Sequence, residues 1–273
     1  MDIEELDEIP PWEWPEEADE ILLEILRDAH ADVSKRVLAA DLAGDCAVLN
    51  DEIARQLLLI VLSPDEPNDL RAAAVASLGP ALEDSDCSDY DDPEEMSISE
   101  PMFHEINKSL EELYRGAFVP EEVQRRVLEA SAHAPQEWHR EAVSAAYSST
   151  DEKWKLSAVF CMRFVGGFDD QIVEALESDN PDILYEAVVA AGRWGTPASW
   201  PRITTLLSSK ETEKALLLAA IEAAPYVRPE EAVEAVAGFT DSPDDEIAEA
   251  ASQIVSALEP FPDEFDNTDG LFN

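Results

Sequence analysis

Glycine is scarce in this chain, with 9 in 273 residues, and so are histidine, with 4, and cysteine, with 3. So few glycines leave no glycine-rich phosphate cradle and no Gly-x-Ser-x-Gly elbow, and they argue against a catalytic-loop architecture. Cys46, Cys87 and Cys161 are an odd number at no metal or redox spacing, so no disulfide framework and no zinc site is expected. Cys46 and Cys161 stand among apolar residues and read as buried thiols. No run of about 18 apolar residues occurs, so no membrane span is expected. The first residues lack the basic start and apolar stretch of a secretory signal. The expected location is a reducing cytoplasm.

Positive charge is the scarcest quantity. Eighteen basic residues face 62 acidic ones, a net charge of −44. Residues 1–16, 72–107 and 229–273 hold no lysine or arginine. Nucleic acid is disfavoured as a partner because neutralising phosphates needs a basic surface. An anionic membrane face is disfavoured for the same reason. Two readings of the acidity compete. One is a solvated surface adapted to salt, which six lysines among the 18 basic residues would suit. The other is electrostatic recognition of a basic protein, for which this chain imitates a polyanion.

What the chain does have is repetition. Residues 179–207 read as one helical hairpin. Asp179, Asn180 and Pro181 start a helix, Ile183, Ala187, Ala190 and Ala191 share a face, and Gly192 and Gly195 end it near Trp194. From Pro197 a second pattern carries Trp200, Ile203, Leu206 and Leu207. An apolar residue followed at i+4 by a small or branched one recurs as Val33/Val37, Leu70/Ala74, Val123/Val127, Trp154/Ala158, Ile183/Ala187, Ala215/Ala219 and Ile247/Ala251. Each such helix has a partner before it, at 17–28, 49–62, 101–115, 136–148, 169–177, 198–208 and 229–239. A lone hairpin cannot bury its apolar face, whereas stacked copies can. The expectation is seven helix pairs.

The run from Pro67 through Leu70, Arg71, Ala74 and Leu78 to Gly79 resembles the HEAT repeat, and residues 145–195 look like bacterial HEAT-repeat proteins without assigned activity. The resemblance spans most of 17–258. It is specific for fold, not function, and implies an all-α, right-handed, armadillo-like helical solenoid whose second helices line a concave face. The repeat's arginine position keeps Arg71 and Lys155 but holds Ser34, Gln124, Leu184, Leu216 and Ala248 elsewhere, so the usual polar ladder is patchy.

The domain reading is an acidic disordered arm over 1–16, a solenoid over 17–259 and an acidic-aromatic tail over 260–273. For the arm, the competing reading packs Trp12 and Trp14 on the first hairpin. Residues 80–100 read as a flexible acidic loop inserted in the stack. Within it Asp84, Asp86, Ser88, Asp92 and Glu95 stand at five ligand positions of a calcium loop, but Asp89 replaces the turn glycine and Pro93 blocks the exit helix. A solvated loop is favoured over a calcium site, and no cofactor is expected. His104 and Glu105 begin like a zinc-protease motif but Lys108 stands in for the second histidine, which reads as an exposed helix face. His133 and His139, around Trp138, read as turn packing. With 62 acids, carboxylate pairs are uninformative.

The basic residues of the central repeats, among them Arg125, Arg126, Lys153, Lys155, Arg163 and Arg193, either bridge repeats or line a mixed-charge groove. Read as a groove, its candidate contact residues are Arg126, Arg163, Glu186, Arg193, Trp194 and, at the adjacent edge, Trp200; Trp154 reads as core. The function expected is a non-catalytic scaffold or adaptor that holds a protein segment in that groove, with no direct nucleic acid, no membrane and no catalytic residue. A polyanion decoy is the first alternative and a HEAT-like lyase the second.

Overall fold

Several of the helix pairs open on a capping polar side chain or a proline, as at Asn50, Ser99 and Pro229. A computed structural model describes residues 2–87 and 96–258. Its helices are α1 (Ile3–Asp7), α2 (Ala18–Arg27), α3 (Val33–Leu42), α4 (Asp51–Leu62), α5 (Asn68–Ala76), α6 (Gly79–Cys87), α7 (Glu100–Tyr114) and α8 (Glu121–Ser131). There follow α9 (His139–Tyr147), α10 (Glu152–Cys161), α11 (Asp169–Ala175), α12 (Pro181–Trp194), α13 (Trp200–Ser208), α14 (Lys214–Val227), α15 (Pro229–Val236) and α16 (Asp245–Leu258). No strand occurs among the described residues. The fold is an all-α solenoid of helix pairs, and all seven expected pairs are present: α2/α3, α4/α5, α7/α8, α9/α10, α11/α12, α13/α14 and α15/α16.

The chain divides into two units, Met1–Val165 with four pairs and Gly166–Asn273 with three. In both, the second helix of each pair is set in register by its first residue. Asp32, Asp151 and Asn180 cap α3, α10 and α12 with side-chain oxygens; Pro67, Pro120 and Glu213 hold the same place before α5, α8 and α14. Asp244 accepts from the amides of Glu246 and Ile247 at the start of α16. Seven residues beyond these positions stand Ala39, Ala74, Val127, Ala158, Ala187, Ala220 and Ala251, every one of them 0% exposed. A methyl or branched methyl at this point lets the neighbouring helices close, since a protein interior tolerates no gap and no excess volume there.

This register corrects two of the expected anchors. In the first pair it is Lys35/Ala39 rather than Val33/Val37; Val33 is 41% exposed. Lys35 occupies an apolar slot because its ammonium reaches Asp2 and Glu4 at 3.3 and 3.0 Å while its stem covers the helix. In the sixth pair it is Leu216/Ala220, one residue on from Ala215/Ala219.

The arm is also corrected. Residues 3–7 form α1, packed on α3 with Ile3 and Leu6 fully buried. Asp2 and Glu5 close a capping box around its start, and the Trp14 indole donates to the carbonyls of Leu6 and Ile9. Residues 80–87, expected at the start of the loop over 80–100, belong to α6, with Ala81 and Leu82 in the core. Cys46 is exposed in the turn after α3, not buried as expected, whereas Cys161 is buried. The tail over 260–273 lies outside the described residues. Among the described residues no helix is long and apolar enough to cross a membrane.

Candidate functional site

In the unit Gly166–Asn273 the second helices present one continuous set of rows. Asn180 fixes the start of α12 by accepting from the amides of Asp182 and Ile183. Its far end stops at Gly195, whose φ of 57° is a left-handed cap that favours glycine. Gly192 belongs to close packing: a Cβ there would stand 2.9 Å from that of Ala223 on α14. With α12 and α14 so held, the positions five, nine and thirteen beyond each start line up across the pairs. They are Tyr185, Val189 and Arg193 on α12, and Leu218, Glu222 and Tyr226 on α14. On α16 they are Glu249, Gln253 and Ala257. Every one is exposed or half-buried.

Tyr226 is 71% exposed and Tyr185 36%. Neither tyrosine, nor Arg193 between them, has a side-chain hydrogen bond or ion pair among the described residues. Asp182 and Glu186 stand on α12, Glu222 on α14, and Glu246 and Glu249 on α16. At the starting end of α12 and α14 this face opens into a cleft of about 500 Å³, lined by Asp182, Tyr185, Arg202, Leu206, Glu211, Glu213 and Leu216 among others. Arg202 is held in place by a 3.0 Å bond from Nε to the carbonyl of Leu176. Beside it Lys214 bridges Asp244 at 2.8 Å and Glu246 at 2.7 Å. Those bonds raise the Lys214 pKa and lower that of Asp244.

In the unit Met1–Val165 the corresponding rows close on themselves on α8 and α10 and in the turns after them. They are Arg125, Glu129 and His133, and Leu156, Phe160 and Phe164, all half-buried. Glu129 takes Arg126 at 2.6 Å and the Ser157 hydroxyl, while Arg125 reaches Ser157 at 3.3 Å. His133 Nδ1 lies 2.9 Å from Glu83 Oε2, and its ring centroid is 4.1 Å from that of Phe164. Burial lowers the His133 pKa, against the pull of Glu83. The Arg163 guanidinium lies 5.2 Å from the Phe160 ring centre. His139 is fully buried: its Nδ1 accepts from the Gln136 amide at 2.8 Å, so Nε2–H donates to Ser131 Oγ at 3.0 Å. Burial pushes its pKa down to about 4.

The predicted contact residues are therefore dispersed. Glu186 and Arg193 lie on the open face of α12. Trp194, 45% exposed at the end of that helix, packs its indole on Gly166, where a Cβ would come within 3.1 Å. Trp200 opens α13, a first helix, and is half-buried. Arg126 and Arg163 belong to the self-contained network of the other unit. Trp154, expected in the core, is only half-buried, and its indole N–H donates to Glu121. Tyr185, Leu218 and Tyr226 escaped notice; counting from the helix starts was the signal that finds them. His133 and His139 have separate partners rather than a shared one. His104 pairs with Glu100 at 3.6 Å on an exposed helix face. Among the described residues no group of three or more His, Cys, Asp or Glu side chains could hold a metal ion. Asp84 and Asp86 of the calcium candidate are helical in α6, which is not loop geometry; Ser88, Asp92 and Glu95 lie outside the described residues.

No protein-family model matches the chain, and no curated protein matches it. Solved structures do resemble it. Human deoxyhypusine hydroxylase in complex with glycerol is 14% identical, with 91% of this chain and 87% of that chain covered and a TM-score of 0.42. A designed armadillo repeat protein in complex with the peptide (KR)4 is 14% identical, covers 74% of this chain and 98% of its own, and has a TM-score of 0.45. Kap121p is 12% identical over 94% of this chain and 31% of its own, with a TM-score of 0.44. These likenesses concern the all-α helical-repeat architecture alone and extend to nothing finer. One expectation is corrected. A hydroxylase stands among the resembling structures, so a helical-repeat architecture and the absence of catalytic motifs do not justify calling this chain a non-enzyme.

Proposed function

We propose that this chain is a protein-interaction scaffold whose second-helix face receives a segment of another protein. Contact is made in the unit Gly166–Asn273 by Tyr185, Val189, Arg193, Leu218 and Tyr226. The observation that carries the reading is a pair of exposed tyrosines, one on each of two adjoining second helices, without polar partners among the described residues. Exposed aromatic area ringed by polar groups is the usual signature of a docking surface, and tyrosine is among the residues that dominate binding energy. Acidic residues outnumber basic ones along these helices even with Lys214 bridging Asp244 and Glu246, which favours a segment with basic as well as apolar side chains. Three free thiols suit the cytoplasm as its setting.

The test is affinity capture with the full chain and its Tyr185→Ala/Tyr226→Ala double variant, with Phe118→Ser as control. Phe118 is 99% exposed in the other unit. The double variant should bind its partner roughly 10- to 100-fold more weakly, the control should bind normally, and wild-type binding should survive moderate salt. Binding that ignores the tyrosines and vanishes steeply with ionic strength would mean that the bare negative charge, not this face, holds the partner.

A further inference from the structure

Arg71, on α5, is only 4% exposed, and its Nε–H donates to the carbonyl of Val61 at 2.9 Å. That is its one hydrogen bond, and no carboxylate pairs with it among the described residues. Its two Nη atoms are not wholly enclosed, so they keep access to solvent. Burial holds its pKa below the usual arginine range.

One pair earlier, Arg36 occupies the same register, four residues beyond the start of its helix and ten beyond the carbonyl that it caps. It shows what this position is built to hold. Nη2 donates to Leu26 O at 3.0 Å, and the fork takes both oxygens of Glu66 at 2.6 and 2.8 Å. Glu66 is the residue before Pro67, where the next second helix starts. The residue before Pro120, at the same place one pair later, is Val119. By register, then, a valine holds the place from which Glu66 serves Arg36, in a chain with 62 acidic residues. Planar guanidinium forks favour bidentate oxygen pairs, and a buried one without a counter-charge is costly.

We propose that Arg71 is an oxyanion-binding residue, which grips a carboxylate or phosphate from outside the described chain as Arg36 grips Glu66. The site is separate from the tyrosine face and does not depend on it.

Thermal unfolding of the full chain tests this in chloride, phosphate and acetate at equal ionic strength. Wild type is compared with Arg71→Met and Val119→Glu. Phosphate strengthens burial in any protein, so the reading is the increment over the variants. In phosphate or acetate wild type should gain roughly 2–4 °C more than Arg71→Met. Val119→Glu should melt higher than wild type in chloride and lose that extra increment, because the chain then supplies the carboxylate. A gain with acetate alone identifies a carboxylate ligand, and a gain with phosphate alone identifies a phosphate. Equal increments in all three proteins would overturn the proposal. Should Arg71→Met fail to fold, a Val119→Glu protein that keeps the full wild-type increment would overturn it as well.

Discussion

The two units use the same repeat and finish its polar positions differently. In Met1–Val165 the second helices turn long polar side chains back onto their own pairs. Arg36, Arg71 and Gln124 each cap a carbonyl ten residues earlier, at Leu26, Val61 and Tyr114. In Gly166–Asn273 the same positions hold Leu184, Leu217 and Ala248. There the end of α11 is served instead by Arg202 of a following first helix. The difference teaches where polar groups are costly and where they are available. The first unit ties Arg36, Arg71 and Arg125 into internal bonds; the second leaves Tyr185, Tyr226 and Arg193 exposed.

The sharpest way to break this contrast is Glu66→Ala. It leaves Arg36, whose side chain is 5% exposed, as a buried charge without its carboxylate, which should cost about 3–5 kcal/mol. Denaturant melts give the loss, and hydrogen exchange should place it in α3 and α5 with α12 and α14 unchanged. Equal loss of protection in α12 would show that the units do not differ in the way described. The Arg36 fork lowers the Glu66 pKa, so this contribution is complete above the unfolded carboxylate range and fades as pH falls through the lowered value.

His139 sharpens the contrast through pH. Its folded pKa of about 4 lies below the ordinary 6.5, so the unfolded chain takes up the proton first. The neutral ring's contribution is whole above pH 6.5 and is lost as pH falls from there to 4, by about 3 kcal/mol in total. Stability of His139→Gln should fall less over that window than that of wild type. Parallel profiles would mean that the buried ring does not titrate as its surroundings require.

Smallest is overpacking at the shared methyl. Ala187→Leu and Ala74→Leu, one in each unit, should each cost about 1–3 kcal/mol. A mutation that is harmless in one unit alone would show that the register is not common to both.

Most of this architecture could be read from the residues. Apolar periodicity located all seven pairs, and at α12 the Asn180-Pro181 start specified the helix through local hydrogen bonds. What escaped notice depended on distant contacts. The apolar pattern of α1 is just Ile3 and Leu6 among acids, and its burial comes from α3 and Trp14. Lys35 at an apolar slot shifted the first register because charge hides a buried stem. The open face was legible only in part. Trp194 drew attention as the larger ring, yet it leans on Gly166, and which tyrosine meets solvent depends on a neighbouring helix that composition does not reveal.

Six alanines and one valine at the same fully enclosed position carry a last implication. Because each junction inside a unit is made through nearly the same small group, a whole pair is a unit of exchange. Within a unit, loss or duplication of a segment such as 180–212 would join surfaces already matched. Chain length could then drift by about thirty residues at a time without any new fit having to be invented.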